Sequence, residues 1–115
     1  MSKVMVVDDE QAIREALGRK LKRDGHDVVL CESGHQAMRA FNSERPDLVI
    51  LDIIMPDGLD GLEVCRRVRE VADTPIMMLS AQAVTEDDII DGLNAGADEY
   101  LIKPIRLNEF AARVK

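Results

Sequence analysis

Cysteine is scarce in this chain: Cys31 and Cys65 are the only two, and no C-x-x-C spacing joins them. That argues against a disulfide framework or a cysteine metal site, and two buried, reduced thiols of a cytosolic protein are expected. No apolar run approaches the roughly 20 residues needed to cross a bilayer, so no membrane contact is expected. The start, Met1-Ser2-Lys3 followed by a short apolar run and then acids, lacks the pattern of a signal peptide, and a cytoplasmic location is expected. Basic residues are in deficit, with 15 Lys plus Arg against 22 Asp plus Glu and a formal charge of −7. Direct gripping of nucleic acid or of an anionic membrane by this chain is therefore not expected. Linkers, repeats and low-complexity stretches are also missing. One domain over residues 1–115 is expected, with 46% hydrophobic residues to build its core.

What is present is a short β-type run followed by a helical segment, five times over. The runs are Lys3–Val7, Asp27–Cys31, Leu48–Leu51, Ile76–Ser80 and Glu99–Ile102. Three are almost wholly apolar, as strands covered on both faces should be. Helical spacing follows in Ile13, Ala16, Leu17 and Leu21; in Ala37, Met38 and Phe41; in Leu62, Cys65 and Val68; in Ile89, Ile90 and Leu93; and in Leu107, Phe110, Ala111 and Val114. Asp24-Gly25, Arg45-Pro46 and Thr74-Pro75 punctuate the segments. Such alternation implies an α/β fold, a doubly wound five-stranded parallel sheet of order 2-1-3-4-5, flavodoxin-like, with five helices on both faces. The chain stops inside the fifth helical pattern. That helix is expected to be truncated, and any output domain to lie outside residues 1–115.

Ligands of such sheets bind beyond the carboxyl ends of the strands. There stand Asp8-Asp9-Glu10 after strand one, Asp52 after strand three, Ser80-Ala81 at strand four and Lys103-Pro104 after strand five. Gathered carboxylates repel one another, and a hard dication that keeps several waters relieves them, which points to Mg²⁺. Asp8 or Asp9 could equally cap the first helix, and both roles are compatible. Asp52 alone would read as a turn former. Opposite the acidic pair it reads as a carboxylate able to attack phosphorus and form an acyl phosphate. The phosphoryl oxygens then need neutralising. The Lys103 ammonium, the Ser80 hydroxyl and the Ala81 backbone N–H are candidates, and small Ala81 leaves room for entry. Lys103 is otherwise a solvated lysine, but a cis Lys103–Pro104 bond is expected to turn it over the site. His26 and His35 have no ligand partners at useful spacing and are expected at the surface.

These residues make up a familiar pattern. The chain resembles the receiver domain of two-component response regulators from end to end. The matches are Val6-Val7-Asp8-Asp9-Glu10, Pro46-Asp47-Leu48-Val49-Ile50-Leu51-Asp52, Met55-Pro56, Asp60-Gly61-Leu62-Glu63, Leu79-Ser80-Ala81, Gly96-Ala97-Asp98-Glu99-Tyr100 and Lys103-Pro104, in that order. The resemblance implies a phosphorylation-activated switch, not an enzyme, that assists its own phosphotransfer and dephosphorylation. Asp52 would be the phosphoacceptor. Asp8, Asp9, Asp52 and the backbone carbonyl of Ile54 would hold Mg²⁺, for which Mn²⁺ can substitute. Lys103 would contact the phosphoryl group, Ser80 would move towards it, and Tyr100 would turn inward behind Ser80. The donor would be a sensor histidine kinase. Two departures stand out: Asp57-Gly58-Leu59 makes the loop after Met55-Pro56 one residue longer than usual, and Ile105 replaces an aromatic residue often found after Lys-Pro.

The readout face is expected at the fourth helix, fifth strand and fifth helix. Ile89, Ile90 and Leu93 exceed what one core stripe needs, and Asp98, Glu99, Arg106, Glu109 and Arg113 supply both signs. A phosphorylation-promoted homodimer through this face is one reading, and simple solvation of the charges is the other. A transcriptional output domain is expected from the resemblance of residues 96–114 to regulators with winged-helix outputs. The rivals are an aspartyl-phosphate phosphatase, a flavodoxin-type cofactor binder and a non-phosphorylated interaction module. The first would want a second acid where Ile54 stands. The second would need a phosphate cradle where Asp8-Asp9-Glu10 would repel phosphate.

Overall fold

A computed structural model describes residues 2–55, 59–80 and 85–114. Strands β1 (Lys3–Val7), β2 (Asp27–Cys31), β3 (Leu48–Asp52), β4 (Ile76–Ser80) and β5 (Glu99–Ile102) alternate with helices α1 (Gln11–Arg23), α2 (Gly34–Glu44), α3 (Gly61–Val71), α4 (Glu86–Asn94) and α5 (Leu107–Val114). All strand pairs are parallel, in the order β2-β1-β3-β4-β5. The expected topology is the observed one, and the strand limits agree except that β3 runs one residue further, into Asp52.

Period-two alternation sends each central strand's side chains to two separate cores. Val4, Val6, Ile50, Met77, Leu79 and Leu101 face Leu17 and Leu21 of α1 and Phe110 of α5. Met5, Val7, Val49, Leu51, Ile76 and Met78 face Ala37 and Phe41 of α2 and Val64, Cys65 and Val68 of α3. With both faces covered, β4 is buried at every position. Phe110 is fully buried and fastens the short α5, a burial worth about 1.5–3 kcal/mol for a side chain of that kind.

Polar side chains set the helix starts. The Ser33 hydroxyl accepts the Gln36 N–H at 3.1 Å, and the Asp60 carboxylate accepts the Glu63 N–H at 2.9 Å. At α1 the capping expectation fails: Glu10, not Asp8 or Asp9, holds the N-cap position, and its side chain makes no cap bond. Asp8 Oδ1 instead accepts the Glu10 N–H at 2.9 Å, a turn bond just ahead of the helix.

Both cysteines are buried and free. Burial pushes the Cys31 thiol up to about 11, which makes it unreactive at neutral pH. His35 is exposed as expected, whereas His26 is half-buried. The chain turns at Gly25 and ties the His26 N–H back to Leu21 at the end of α1, 3.0 Å away, which tucks the ring in. Its Nδ1 has no hydrogen-bond partner among the described residues. On α4 the expected stripe is only partly a core stripe: Ile89 is half-buried, but Ile90 and Leu93 are 44% and 52% exposed.

Candidate functional site

Parallel register aligns the strand ends on one rim. Val7 pairs with Leu51, Asp52 with Leu79, and Ser80 with Ile102. Asp8 and Lys103, each one residue past its strand, thus arrive beside Asp52. Backbone bonds hold the rim together: Asp8 N–H to the Cys31 carbonyl (3.1 Å), Ile53 N–H to Leu79 (3.0 Å) and Lys103 N–H to Ser80 (2.7 Å). The Lys103–Pro104 peptide is cis, as expected.

Asp8 is 0% exposed and Asp52 is 5% exposed, while Asp9 stands at the surface beside them. One carboxylate oxygen from each of the three lies within 4.8 Å of the others. Lys103 Nζ sits 3.2 Å from Asp8 Oδ2, 3.3 Å from Asp52 Oδ2 and 3.3 Å from Glu10 Oε1. The Ile54 N–H donates to Asp52 Oδ1 at 3.2 Å, and the Ile54 side chain is 71% exposed at the mouth. Ser80 is buried at the end of β4. Tyr100 is half-buried on β5 against the α2/α3 core. Ala81 lies outside the described residues, as do Asp57 and Gly58 of the longer loop, whose third residue, Leu59, is buried in the core.

Three contacts of the site are not legible in the sequence pattern. The Glu10 carboxylate shares Lys103 with the two buried acids. Arg14, from the first turn of α1, donates to the Asp8 carbonyl at 2.8 Å. Gly61 opens α3 against the end of β3: its N–H donates to the Ile53 carbonyl at 2.8 Å, and a Cβ there would fall 2.2 Å from the Asp52 carbonyl oxygen. Only a glycine lets the helix start so close to Asp52. The Asp-Gly pair at 60–61 was visible in the sequence as a motif fragment, but not the contact that requires it.

The electrostatics follow from two buried acids sharing one ammonium. Burial first, and then the Asp8 charge, push the Asp52 carboxyl up from 3.8 to about 7, against the pull of Lys103 and of the Ile54 N–H. Burial works to lower the Lys103 pKa, but Asp52 and Asp8 together outweigh it and raise it. Asp8 Oδ2 is close enough to Lys103 for Coulombic attraction, yet it is buried without an aligned hydrogen-bond donor among the described residues. An excess of buried negative charge, an orphaned carboxylate oxygen and three converging oxygen ligands fit a hard divalent cation.

Comparison with known proteins places this geometry. Residues 4–115 match the family model of the response regulator receiver domain. The chain is 46% identical over 114 residues to the response regulator MprA of Mycolicibacterium vanbaalenii, covering 98% of this chain and 48% of that protein. It is 39% identical over 115 residues to the transcriptional regulatory protein AfsQ1 of Streptomyces coelicolor, covering 100% of this chain and 50% of that one. The chain thus spans about half the length of these relatives. The crystal structure of a two-component response regulator from Clostridium difficile superposes with a TM-score of 0.94 at 31% identity, covering 100% of this chain and 93% of that one. No helix among the described residues is long and apolar enough to cross a membrane. With its sheet order, its acidic rim and these relatives in agreement, the chain belongs to the receiver-domain family of two-component response regulators.

Proposed function

We propose that this domain, spanning residues 1–115, is switched by phosphorylation of Asp52. The observation that carries the reading is the convergence of Asp8, Asp9, Asp52 and Lys103 at one rim of the sheet. An Asp52 carboxylate oxygen attacks the phosphorus of a phosphohistidine on a sensor histidine kinase. The new O–P bond forms as the P–N bond breaks, and the imidazole nitrogen keeps the electron pair. Lys103 takes up charge from the phosphoryl oxygens, the Ser80 hydroxyl and the Ala81 N–H donate to them, and Tyr100 follows Ser80. Asp8, Asp9, Asp52 and the Ile54 carbonyl are the residues that would hold Mg²⁺, or Mn²⁺ in its place. When bound, the ion supplies positive charge for the carboxylates and the incoming phosphoryl group. The domain is a phosphoacceptor in a cytoplasmic pathway rather than an enzyme. The phosphatase reading lacks the second acid it needs, because the apolar Ile54 occupies that position.

Incubation with acetyl phosphate tests the proposal. Intact-mass spectrometry is expected to show one added phosphoryl group with Mg²⁺ and almost none with EDTA. Absence of an adduct in saturating Mg²⁺ would overturn it.

The output is proposed to run through the face built from α4, β5 and α5 to a C-terminal domain that acts in transcription, as the name of the transcriptional regulatory protein AfsQ1 suggests for that relative. Exposed Ile90 and Leu93 on α4 and exposed Ile102 on β5 support a homodimer there. Part of the charge on this face is engaged within the chain: Arg113 pairs with Glu99 at 2.6 Å, and Asp98 with Arg69 at 2.6 Å. Apolar contact is therefore the expected driving force. Sedimentation with and without beryllofluoride and Mg²⁺ checks this: mass should double with the mimic, and an unchanged monomer at high concentration rejects the dimer.

A further inference from the structure

Gly92 sits in the middle of α4, where glycine weakens a helix relative to alanine. Its φ is not positive, so backbone conformation does not call for glycine there. Space does. A Cβ built on Gly92 would lie 2.4 Å from Cε2, 2.8 Å from the hydroxyl oxygen and 3.0 Å from Cζ of Tyr100. The Tyr100 ring reaches from β5, where the residue pairs with Met78, across to the α4 backbone. Ring and helix are therefore in contact at the one α4 position that offers no side chain. On either side of it in sequence, Ile90 and Leu93 present apolar surface to solvent.

We propose that Gly92 is the positioning residue of the switch: the missing side chain is a seat for the Tyr100 ring, and occupancy of that seat sets where α4 and its exposed apolar face stand. Movement of the ring off the glycine frees α4 to shift, and a side chain at 92 denies the ring its place. Well-packed interfaces of this kind have discrete arrangements and do not deform continuously, so a ring that is seated or unseated gives α4 two states. The seat itself is a matter of geometry, while its link to output rests on the phosphorylation reading above.

The chain contains one tyrosine and no tryptophan, so its intrinsic emission reports the Tyr100 ring alone. In Gly92→Ala, acrylamide quenching of that emission is expected to rise above the parent value, as the displaced ring meets solvent. The emission change produced in the parent by beryllofluoride with Mg²⁺ is expected to be lost. Quenching and mimic response both equal to the parent would overturn the proposal, because α4 would then have absorbed the methyl group without moving the ring. If Gly92→Ala melts early, the Tyr100→Ala background decides. Adding Gly92→Ala to Tyr100→Ala should leave the melt unharmed, since the clashing ring is gone. Equal damage in both backgrounds would show that the ring is not what the glycine accommodates. Failure of the phosphorylation reading shows separately, as a parent that takes no phosphoryl group while Gly92→Ala still alters quenching.

Discussion

Asp52→Asn protein, stripped of divalent ions at pH 8, is expected to melt above the parent and to gain no phosphoryl mass from acetyl phosphate. The loss of uptake follows from removing the nucleophilic oxygen. The gain in stability follows from the Asp52 pKa. Burial and then Asp8 push the carboxyl from 3.8 to about 7, so the folded state binds the proton more tightly than the unfolded state. For such an acid, stability is greatest below 3.8, falls as the pH rises towards 7, and levels off beyond. At about 1.4 kcal/mol per pH unit the ceiling on this cost is roughly 4 kcal/mol. Because Lys103 lies against Asp52 and can follow its charge, only part of that ceiling is realised, and roughly 2 kcal/mol is the expected gain. For a domain of this size that is a rise in Tm of about 8 °C. The asparagine still offers an oxygen to the Ile54 N–H, and Lys103 keeps Asp8 and Glu10. Thermal melts in EDTA from pH 4 to 8 should show the two curves converging at the acid end. An Asn variant less stable than the parent at pH 8 contradicts the account of a strained acidic rim.

The opposite substitution should have the opposite sign. Lys103→Met leaves Asp8 and Asp52 buried without the ammonium they share. Removing one partner of a buried ion pair typically costs about 3–5 kcal/mol, and proton uptake by Asp52 limits the loss here to roughly 3 kcal/mol at pH 8. The Lys103 pKa is raised in the fold. The stability it adds is therefore fully present below its unfolded value near 10.4 and is lost only as the pH passes the higher folded value. Between pH 5 and 8 its contribution is constant, so any pH dependence of the loss belongs to Asp52. The penalty should shrink towards pH 5 and in saturating Mg²⁺, and it should be smaller in the Asp52→Asn background. Urea denaturation across these conditions checks all three. A penalty independent of pH and of Mg²⁺ would mean that Lys103 matters for packing alone.

Much of this site could be read before any coordinates. Asp8, Asp52, Ser80 and Lys103 each follow or end a short apolar run, and in a parallel sheet that position is a shared rim. The apolar stripes of α1, α2 and α3 also announced which face each helix buries. Other features escaped because they depend on contacts between residues distant in sequence. Glu10 stood at the rim only as the tail of Asp8-Asp9-Glu10, and it became a partner of Lys103 because α1 starts beside the end of β5. His26 looked like a surface residue, and the turn at Gly25 drew it inward. Gly61 stood in the sequence only as part of the Asp60-Gly61-Leu62-Glu63 match, and Gly92 drew no notice at all. Each proves to be the point where a second element passes too close for a Cβ.

The linear order of residues alone determined the alternation of strands and helices and the set of polar groups at the strand ends, because periods of 2 and 3.6 and the placement of turns are local properties of a chain. Tertiary structure decided the rest. The shared ammonium, the raised carboxyl of Asp52, the orphaned oxygen of Asp8 and the seat beneath Tyr100 depend on distances of a few ångströms between separate elements. Interaction energies change steeply over such distances, and no local pattern encodes them.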